Sequence, residues 1–318
     1  MVTLNFFEKR PVMDNIGFSI KFIQQNFTHL FKTLIVIYLP MYFLLGVLYL
    51  IDAQWFGIVT GGWYAWLVQI VRSEIYENVQ INFAVPYMIV SLAYQAISGA
   101  CISSAFYSYF ILHSKKGINF DAKELLSEMG KNIWSLMSLN AIITIVLFVA
   151  IFFFTRIVML SRLAESNAIS YLIAFTTLAI IIYFLIRMLF LQILTVTEET
   201  NLISGVERSV ELVKNNWWNV FGVMLANFVI LVLMALVLIM FPTYILRETK
   251  LLNRDTMQGF TIFLTLFGLI FQFLATIYWK VCLFSVYGAL YEGKEHKNLY
   301  QSIDKLGVKE KEEDNEDF

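Results

Sequence analysis

Cysteine, proline, histidine and charged residues are all scarce in this chain of 318 residues. The two cysteines are too few for a disulfide-rich secreted module. Only 15% of the residues are charged, whereas an average soluble domain has about 25%. Because a soluble globule needs a charged outer layer, this composition excludes a soluble globular enzyme.

Hydrophobic residues make up 59% of the chain, which also excludes a disordered protein. They are gathered into six runs, each long enough to cross a hydrocarbon core of about 30 Å. Only a helix satisfies its own peptide groups there. The sequence therefore predicts an all-α, polytopic integral membrane bundle of six transmembrane helices. The predicted helix cores are residues 33–51, 86–112, 136–156, 168–194, 218–241 and 261–289.

Lysine and arginine are concentrated in the N-terminal arm, in the second-to-third and fourth-to-fifth connections, and in the tail. The positive-inside rule places these segments in the cytoplasm, so both termini are predicted to be cytoplasmic. We predict a single integral membrane domain over residues 1–291. The charged tail at 292–318 is predicted to be cytoplasmic and disordered.

A threefold internal repeat precedes the first, third and fifth predicted helices. Three amphipathic stretches align on Asn26, Asn132 and Asn216, and their apolar residues follow the spacing 4, 3, 4, 4 of one helix face. The aligned apolar residues are Ile16, Ile20, Ile23, Phe27 and Phe31 in the first copy, Ala122, Leu126, Met129, Ile133 and Met137 in the second, and Val206, Val210, Val213, Trp217 and Phe221 in the third.

This repeat predicts three interfacial helices that lie in the plane of the cytoplasmic headgroups. Near each asparagine the chain is expected to turn into a spanning helix. The predicted units, at about 12–112, 118–194 and 202–291, are parallel repeats because each re-enters the membrane from the same side. The alternative explanation is that any segment beside a membrane helix tends to be amphipathic.

Residues 198–218 carry a resemblance to a known family. Glu198 ends the fourth predicted helix, and a stretch from Ser209 to Trp218 with polar and basic residues leads into the fifth. The pattern resembles the membrane domain of glycerophosphoryl diester phosphodiesterases and is similar to uncharacterised bacterial six-span membrane proteins. Residues 15–34 are similar to the family's first amphipathic helix. The resemblance implies the fold and a bacterial cytoplasmic (inner) membrane location.

Phosphodiesterase chemistry is not implied, because no segment outside the predicted membrane helices is long enough for the catalytic barrel of those enzymes. The residues themselves also lack a catalytic pattern. His29, His113 and His296 are far apart in sequence, and Cys101 and Cys282 lie singly inside predicted helices. We therefore predict no catalytic, cofactor-binding or metal site.

Two cations inside predicted membrane helices are the exception. Arg187 and Lys280 lie in the cytoplasmic halves of the fourth and sixth helices, and Glu198 follows Arg187 on nearly the same helix face. Such charges are costly and often functional. One interpretation is snorkelling to the headgroups with ion pairing. The other is a shared anionic site for a lipid phosphate or an anionic substrate.

Uncharged polar residues also lie inside the predicted helices and are typical either of helix packing or of a pore lining. They include Gln95, Asn140, Gln192, Asn227 and Gln272.

Three functions stay open on this evidence from sequence. The leading one is a non-enzymatic membrane scaffold or accessory subunit, with the lipid bilayer, an anionic lipid and a membrane protein as expected partners and no nucleic acid. The alternative is a permease-like transporter for a lipid or anionic substrate, which a discontinuous helix or a polar cavity would favour. A lipid-modifying enzyme ranks last, because its only candidate groups are Glu74, Glu77, Glu198 and Glu199.

Overall fold

The computed structural model describes residues 5–8, 10–51, 84–163, 167–237 and 254–295. Within these ranges the protein is all-α, as predicted, and contains no β-strand. The helices are α1 (Asp14–Ile51), α2 (Ala84–Lys116), α3 (Ala122–Leu163), α4 (Asn167–Arg187), α5 (Leu191–Thr197), α6 (Leu202–Val213), α7 (Trp217–Ala235) and α8 (Arg254–Glu295).

Four helical stretches are long and apolar enough to cross a membrane. They are Ala122–Ala150, Phe175–Thr197, Trp217–Ala235 and Ile270–Glu295, with mean hydropathies from 1.5 to 2.3. These stretches overlap the third to sixth predicted membrane helices and indicate a membrane protein. The first and second predicted helices fall within α1 and α2, but the count of six spans stays a prediction.

The chain divides into two compact units. One, here called the terminal unit, combines Met1–Phe27 with Val210–Phe318; the other, the central unit, is Thr28–Ser209. Helix α1 begins in the terminal unit and continues past Phe27 into the central unit.

Aromatic side chains form the core of the terminal unit. The ring of Phe6 lies 5.3 Å from that of Phe18, 4.6 Å from that of Phe22 and 5.1 Å from that of Phe284. Gly288 on α8 allows this packing, because a Cβ there would collide with the backbone of Phe6. The short N-terminal arm therefore packs against α8.

The core of the central unit lies between α2 and α3, which pack along each other, with α4 and α5 also against α3. Phe106 and Phe110 on α2 and Leu125 and Leu136 on α3 are completely buried. The Ser104 hydroxyl on α2 donates to the carbonyl of Met129 on α3 at 3.2 Å. A small residue thus lets the two helices approach closely, as is usual for membrane helices.

The predicted turn at the three marker asparagines is wrong at two of them. Asn26 and Asn132 lie inside the unbroken helices α1 and α3. Asn26 satisfies its amide within the helix by donating to the carbonyl of Phe22 at 3.0 Å, so it does not compete with the helical backbone. At Asn216 the prediction is right, because α6 ends before a turn at 214–216 and α7 begins after it.

The predicted apolar stripe of the amphipathic stretches is exposed at some positions and buried at others, such as Met129 and Val213. Ile20, Phe27 and Leu126 are 43%, 43% and 50% exposed. Adjacent positions such as Ser19 and Leu125 are completely buried instead. Large exposed apolar side chains mark a membrane or partner surface. The exposed residues of this stripe are therefore suited to contact lipid.

Candidate functional site

A break in the fourth predicted membrane helix is the central feature of the candidate site. The sequence predicts one helix over 168–194, but α4 ends at Arg187 and α5 begins at Leu191. The amide of Leu191 donates to the carbonyl of Met188, three residues back, at 3.2 Å, as in a turn. Regular helical bonding, four residues back, is present again where the amide of Leu194 donates to the carbonyl of Phe190 at 2.9 Å. In a membrane, irregular backbone is tolerated where it is buried in protein or lines a polar cavity. Phe190, in the break, is completely buried.

Four polar side chains from three helices meet next to this break. Gln192 on α5 donates through Nε2 to Oδ1 of Asn140 on α3 at 2.7 Å. Its Oε1 accepts from the hydroxyls of Ser103 at 3.0 Å and Tyr107 at 3.4 Å, both on α2. We call these four residues the polar network. Buried amides and hydroxyls of this kind are satisfied by one another rather than by water.

The polar network contains no carboxylate, imidazole or amine. Asn140, Ser103 and Tyr107 are 7%, 2% and 0% exposed, and Asn140 also donates to the carbonyl of Leu136 at 2.9 Å. Amides and hydroxyls can hold helices together or accept a polar ligand, and of these four residues only Tyr107 carries a group that is among the usual general acids and bases.

Arg187 lies at the last residue of α4, directly before the break. Its guanidinium is 4.6 Å from the centre of the Tyr183 ring, a cation–π distance. Its carbonyl accepts the Ser209 hydroxyl at 2.7 Å. The Nε atom is buried and has no hydrogen-bond partner among the residues the structure describes.

Glu198 forms an ion pair with a residue that the sequence did not suggest. Its carboxylate lies 3.5 Å from Nε of Arg208 on α6, whereas the sequence analysis expected it to help hold Arg187. The two ion-paired side chains are 24% and 22% exposed, so solvent weakens the attraction. Glu199, the next residue, has a positive φ of 51°.

Lys280 lies in α8 and belongs to the terminal unit, whereas Arg187 belongs to the central unit. The two cations lie on different helices in different units. A site that both of them share stays a prediction from the sequence. Glu74 and Glu77, the other carboxylates considered for chemistry, lie outside the described residues, as do His296 and the tail from 296 onward.

A second set of polar contacts joins the helices of the terminal unit. Asn227 on α7 accepts the Tyr278 hydroxyl at 2.5 Å and donates to Sγ of Cys282 at 2.8 Å, both on α8. Ser285 donates to Oδ1 of Asn15 on α1 at 2.5 Å. The sequence analysis identified Asn227 and Cys282 only singly, because no local pattern shows which distant helix a polar residue will face.

An elongated cavity of about 360 Å³ lies beside these contacts, between α1, α7 and α8 of the terminal unit. We call it the apolar cavity, because its lining is hydrocarbon except for Gln24 and Tyr278. The sequence analysis did not predict it. The lining residues are Ile20, Ile23, Gln24, Phe27, Ile230, Leu231, Met234, Phe267, Ile270, Phe271, Leu274, Ala275, Ile277 and Tyr278.

Two histidines that are far apart in sequence meet at one tyrosine in the central unit. Nδ1 of His29 lies 3.0 Å from the Tyr109 hydroxyl, and its Nε2 lies 3.1 Å from the carbonyl of Phe120. Since a carbonyl only accepts, Nε2 carries a proton. His113 stacks on the Tyr109 ring, and burial, together with the charge of His29, lowers the pKa of His113 below 6.5.

This pair does not form a metal centre, because both nitrogens of His29 already have partners. Within the described ranges, no three His, Cys, Asp or Glu side chains are grouped so that they could hold a metal ion. Comparisons with protein families, with curated proteins and with solved structures find no match for this chain. Fold and site therefore define only a class, a helical membrane protein.

Proposed function

We propose that this protein is a non-enzymatic membrane scaffold or accessory subunit. The observation that carries the proposal is the exposure of large apolar side chains along the helices that can cross the membrane, such as Phe175 at 75% and Phe228 at 58%. By contrast, the amides of Gln192 and Asn227 between the helices bond to other side chains of the protein. Such a molecule offers surfaces to lipids and membrane proteins rather than reactive groups to a substrate.

We further propose six spans arranged as three parallel repeats with both termini in the cytoplasm. Burial at aligned positions supports this: Ser19, Leu125 and Ser209 are all completely buried. Eleven residues later in each copy, a second set of aligned residues is also completely buried: Leu30, Leu136 and Val220. Unrelated amphipathic segments have no reason to bury the same two positions in all three copies.

The contacts of the three amphipathic stretches support the repeat in a second way. Each stretch forms a serine hydrogen bond with the second helix of another repeat. These bonds are Ser285 to Asn15, Ser104 to Met129 and Ser209 to Arg187. The bacterial inner-membrane location and the relation to the phosphodiesterase membrane domains are proposals from the resemblance in sequence.

Site-specific photocrosslinking in membranes tests the scaffold function. A benzophenone amino acid placed at Phe175 should give a discrete adduct with one membrane protein, while the same group at the completely buried Phe106 should give none. Purification in mild detergent should then recover that protein in stoichiometric amount. Adducts with lipid alone, and a chain that purifies without a partner, would contradict the scaffold function.

Transport is the second candidate, and the break at 188–190 beside the polar network favours it. Discontinuous helices near polar side chains form substrate sites in many transporters. Leu189→Cys in a chain whose two native cysteines are serine would report access to the break. A transporter should react with a membrane-impermeant thiol reagent from either side of the membrane, whereas a scaffold should react from one side at most.

A further inference from the structure

The apolar cavity has the dimensions and lining of a site for a hydrocarbon chain. Its volume of about 360 Å³ lies within the range of ligand pockets, which is about 300–1,000 Å³. The residues of α8 that line it run from Phe267 to Tyr278, which corresponds to roughly 16 Å along a helix. A half-open apolar cavity that extends this far along α8 matches an extended chain better than a compact ligand.

Two polar residues line the cavity, Tyr278 and Gln24. The Tyr278 hydroxyl is bound outside the cavity, and Gln24 lies toward one end. Tyr278 contributes its ring, because its hydroxyl is bound to the completely buried Asn227. Gln24 is exposed and lies at the α1 side. A ligand therefore meets hydrocarbon along the cavity and an amide only near Gln24.

Helices α1 and α8 run antiparallel beside the cavity. The bond between Ser285 and Asn15 fixes this register, and it places Ile20 of α1 near the Tyr278 end of α8. Since the N-terminal part of α1 is predicted to be cytoplasmic, this end of the cavity lies at the cytoplasmic headgroups. A lipid that inserts a chain would leave its headgroup there.

Charge at that end is positive. Lys21 directly follows Ile20 and is three residues before Gln24, so it shares a helix face with Gln24. Lys280 is two residues after Tyr278, and the nearest acidic residue on α1, Asp14, is six residues before Ile20. The lining stretches of α7 and α8 have no charged residue. This arrangement complements a negatively charged headgroup.

We propose that the apolar cavity holds one acyl chain of an anionic phospholipid whose phosphate lies beside Lys21 and Gln24. The site does not depend on whether the protein is a scaffold or a transporter. It differs from lipid that merely coats the protein, because side chains of three helices line it and Lys21 lies beside one of its ends.

Lipid retention in full-length protein tests this site. The chain is reconstituted in vesicles of equal parts phosphatidylethanolamine and phosphatidylglycerol, extracted in mild detergent, and its bound lipid is measured by native mass spectrometry. We expect one phosphatidylglycerol per chain. Ile230→Trp, which fills the cavity, should lower that occupancy about tenfold, while Val229→Trp, on the exposed neighbouring position, should leave it unchanged.

Two charge variants test the headgroup. Lys21→Gln should lose the preference for phosphatidylglycerol, whereas Lys32→Gln, also on α1 and exposed, should keep it. A phosphatidylglycerol with a diazirine in its acyl chain should crosslink to Met234 or Phe271 in the wild type and not in Ile230→Trp. If Ile230→Trp does not fold, Ala275→Leu serves instead.

Equal retention by the two tryptophan variants would overturn the proposal, because the lipid would then lie outside the cavity. Equal retention of phosphatidylethanolamine and phosphatidylglycerol would also overturn the proposal, because the site would then not select the headgroup by its charge. The proposal would also be overturned if the wild-type protein carried no lipid, or if the crosslinks fell outside α1, α7 and α8.

Discussion

Single residues illustrate both what the sequence predicts and what it leaves open. Arg187 and Lys280 are visible in the sequence because a charge among apolar residues is conspicuous. Gly288 is not conspicuous, yet it alone allows the backbone of Phe6 to approach α8. His29 and His113 likewise meet only through the fold. The sequence shows the chemistry of each side chain, but it does not show which distant side chains will lie beside it in the fold.

Gly288→Ala should loosen the N-terminal arm from α8. The added methyl group collides with the backbone of Phe6, and overpacking of this kind costs about 1–3 kcal/mol. We expect a lower unfolding midpoint in detergent and faster proteolysis next to Arg10. Gly293→Ala, on the same helix with nothing near its Cβ position, is the control and should stabilise α8 slightly. Equal effects of the two substitutions would contradict this role of Gly288.

His113 should make stability depend on pH. Burial and the charge of His29 depress its pKa in the folded protein, so folding favours the neutral imidazole. Its stabilising contribution is present above the unfolded pKa of 6.5 and is lost as the pH falls through the folded pKa. The unfolding temperature should therefore drop as the pH falls below about 7.

His113→Gln should reduce that drop, and His29→Gln should reduce it as well by removing the neighbouring charge. A pH dependence that survives both substitutions would show that other groups cause it.

Whole elements were predicted better than their ends. Hydropathy located the four apolar stretches that can cross a membrane, because hydrocarbon forces each such segment to satisfy its own backbone. The ends depended on tertiary contacts: α3 runs without interruption past Asn132, and the fourth predicted helix is divided at 188–190. The break has no proline or glycine to announce it, and α3 stays continuous although Gly130 lies two residues before Asn132.

The amphipathic start of α3 should lie at the membrane surface. A spin label at Leu126, which is half exposed on the apolar stripe, should be more accessible to oxygen dissolved in lipid. A label at Ser127, the exposed next residue, should be more accessible to a water-soluble nickel reagent. Identical accessibility at the two positions would contradict an interfacial helix.

At the scale of the whole molecule, the open question is whether the two intramembrane cations act together. If they share an anionic site, Arg187→Met combined with Lys280→Met should abolish the retention of anionic lipid that remains in Ile230→Trp, in which the apolar cavity is filled. Lys32→Met combined with Lys115→Met removes the same charge from exposed positions and is the control. Unchanged retention in the first variant would show that both cations only snorkel to the headgroups.

Composition and the length of the apolar runs are enough to predict a helical membrane protein, because both act through the solvent and need no knowledge of distant contacts. Which helices share polar bonds depends on the folded arrangement. Asn15 and Ser285 are 270 residues apart and still bond, and Gln192 reaches Asn140 and Ser103 on two other helices. Inside lipid all helices are similarly apolar, so side-chain fit and a few hydrogen bonds choose the partners.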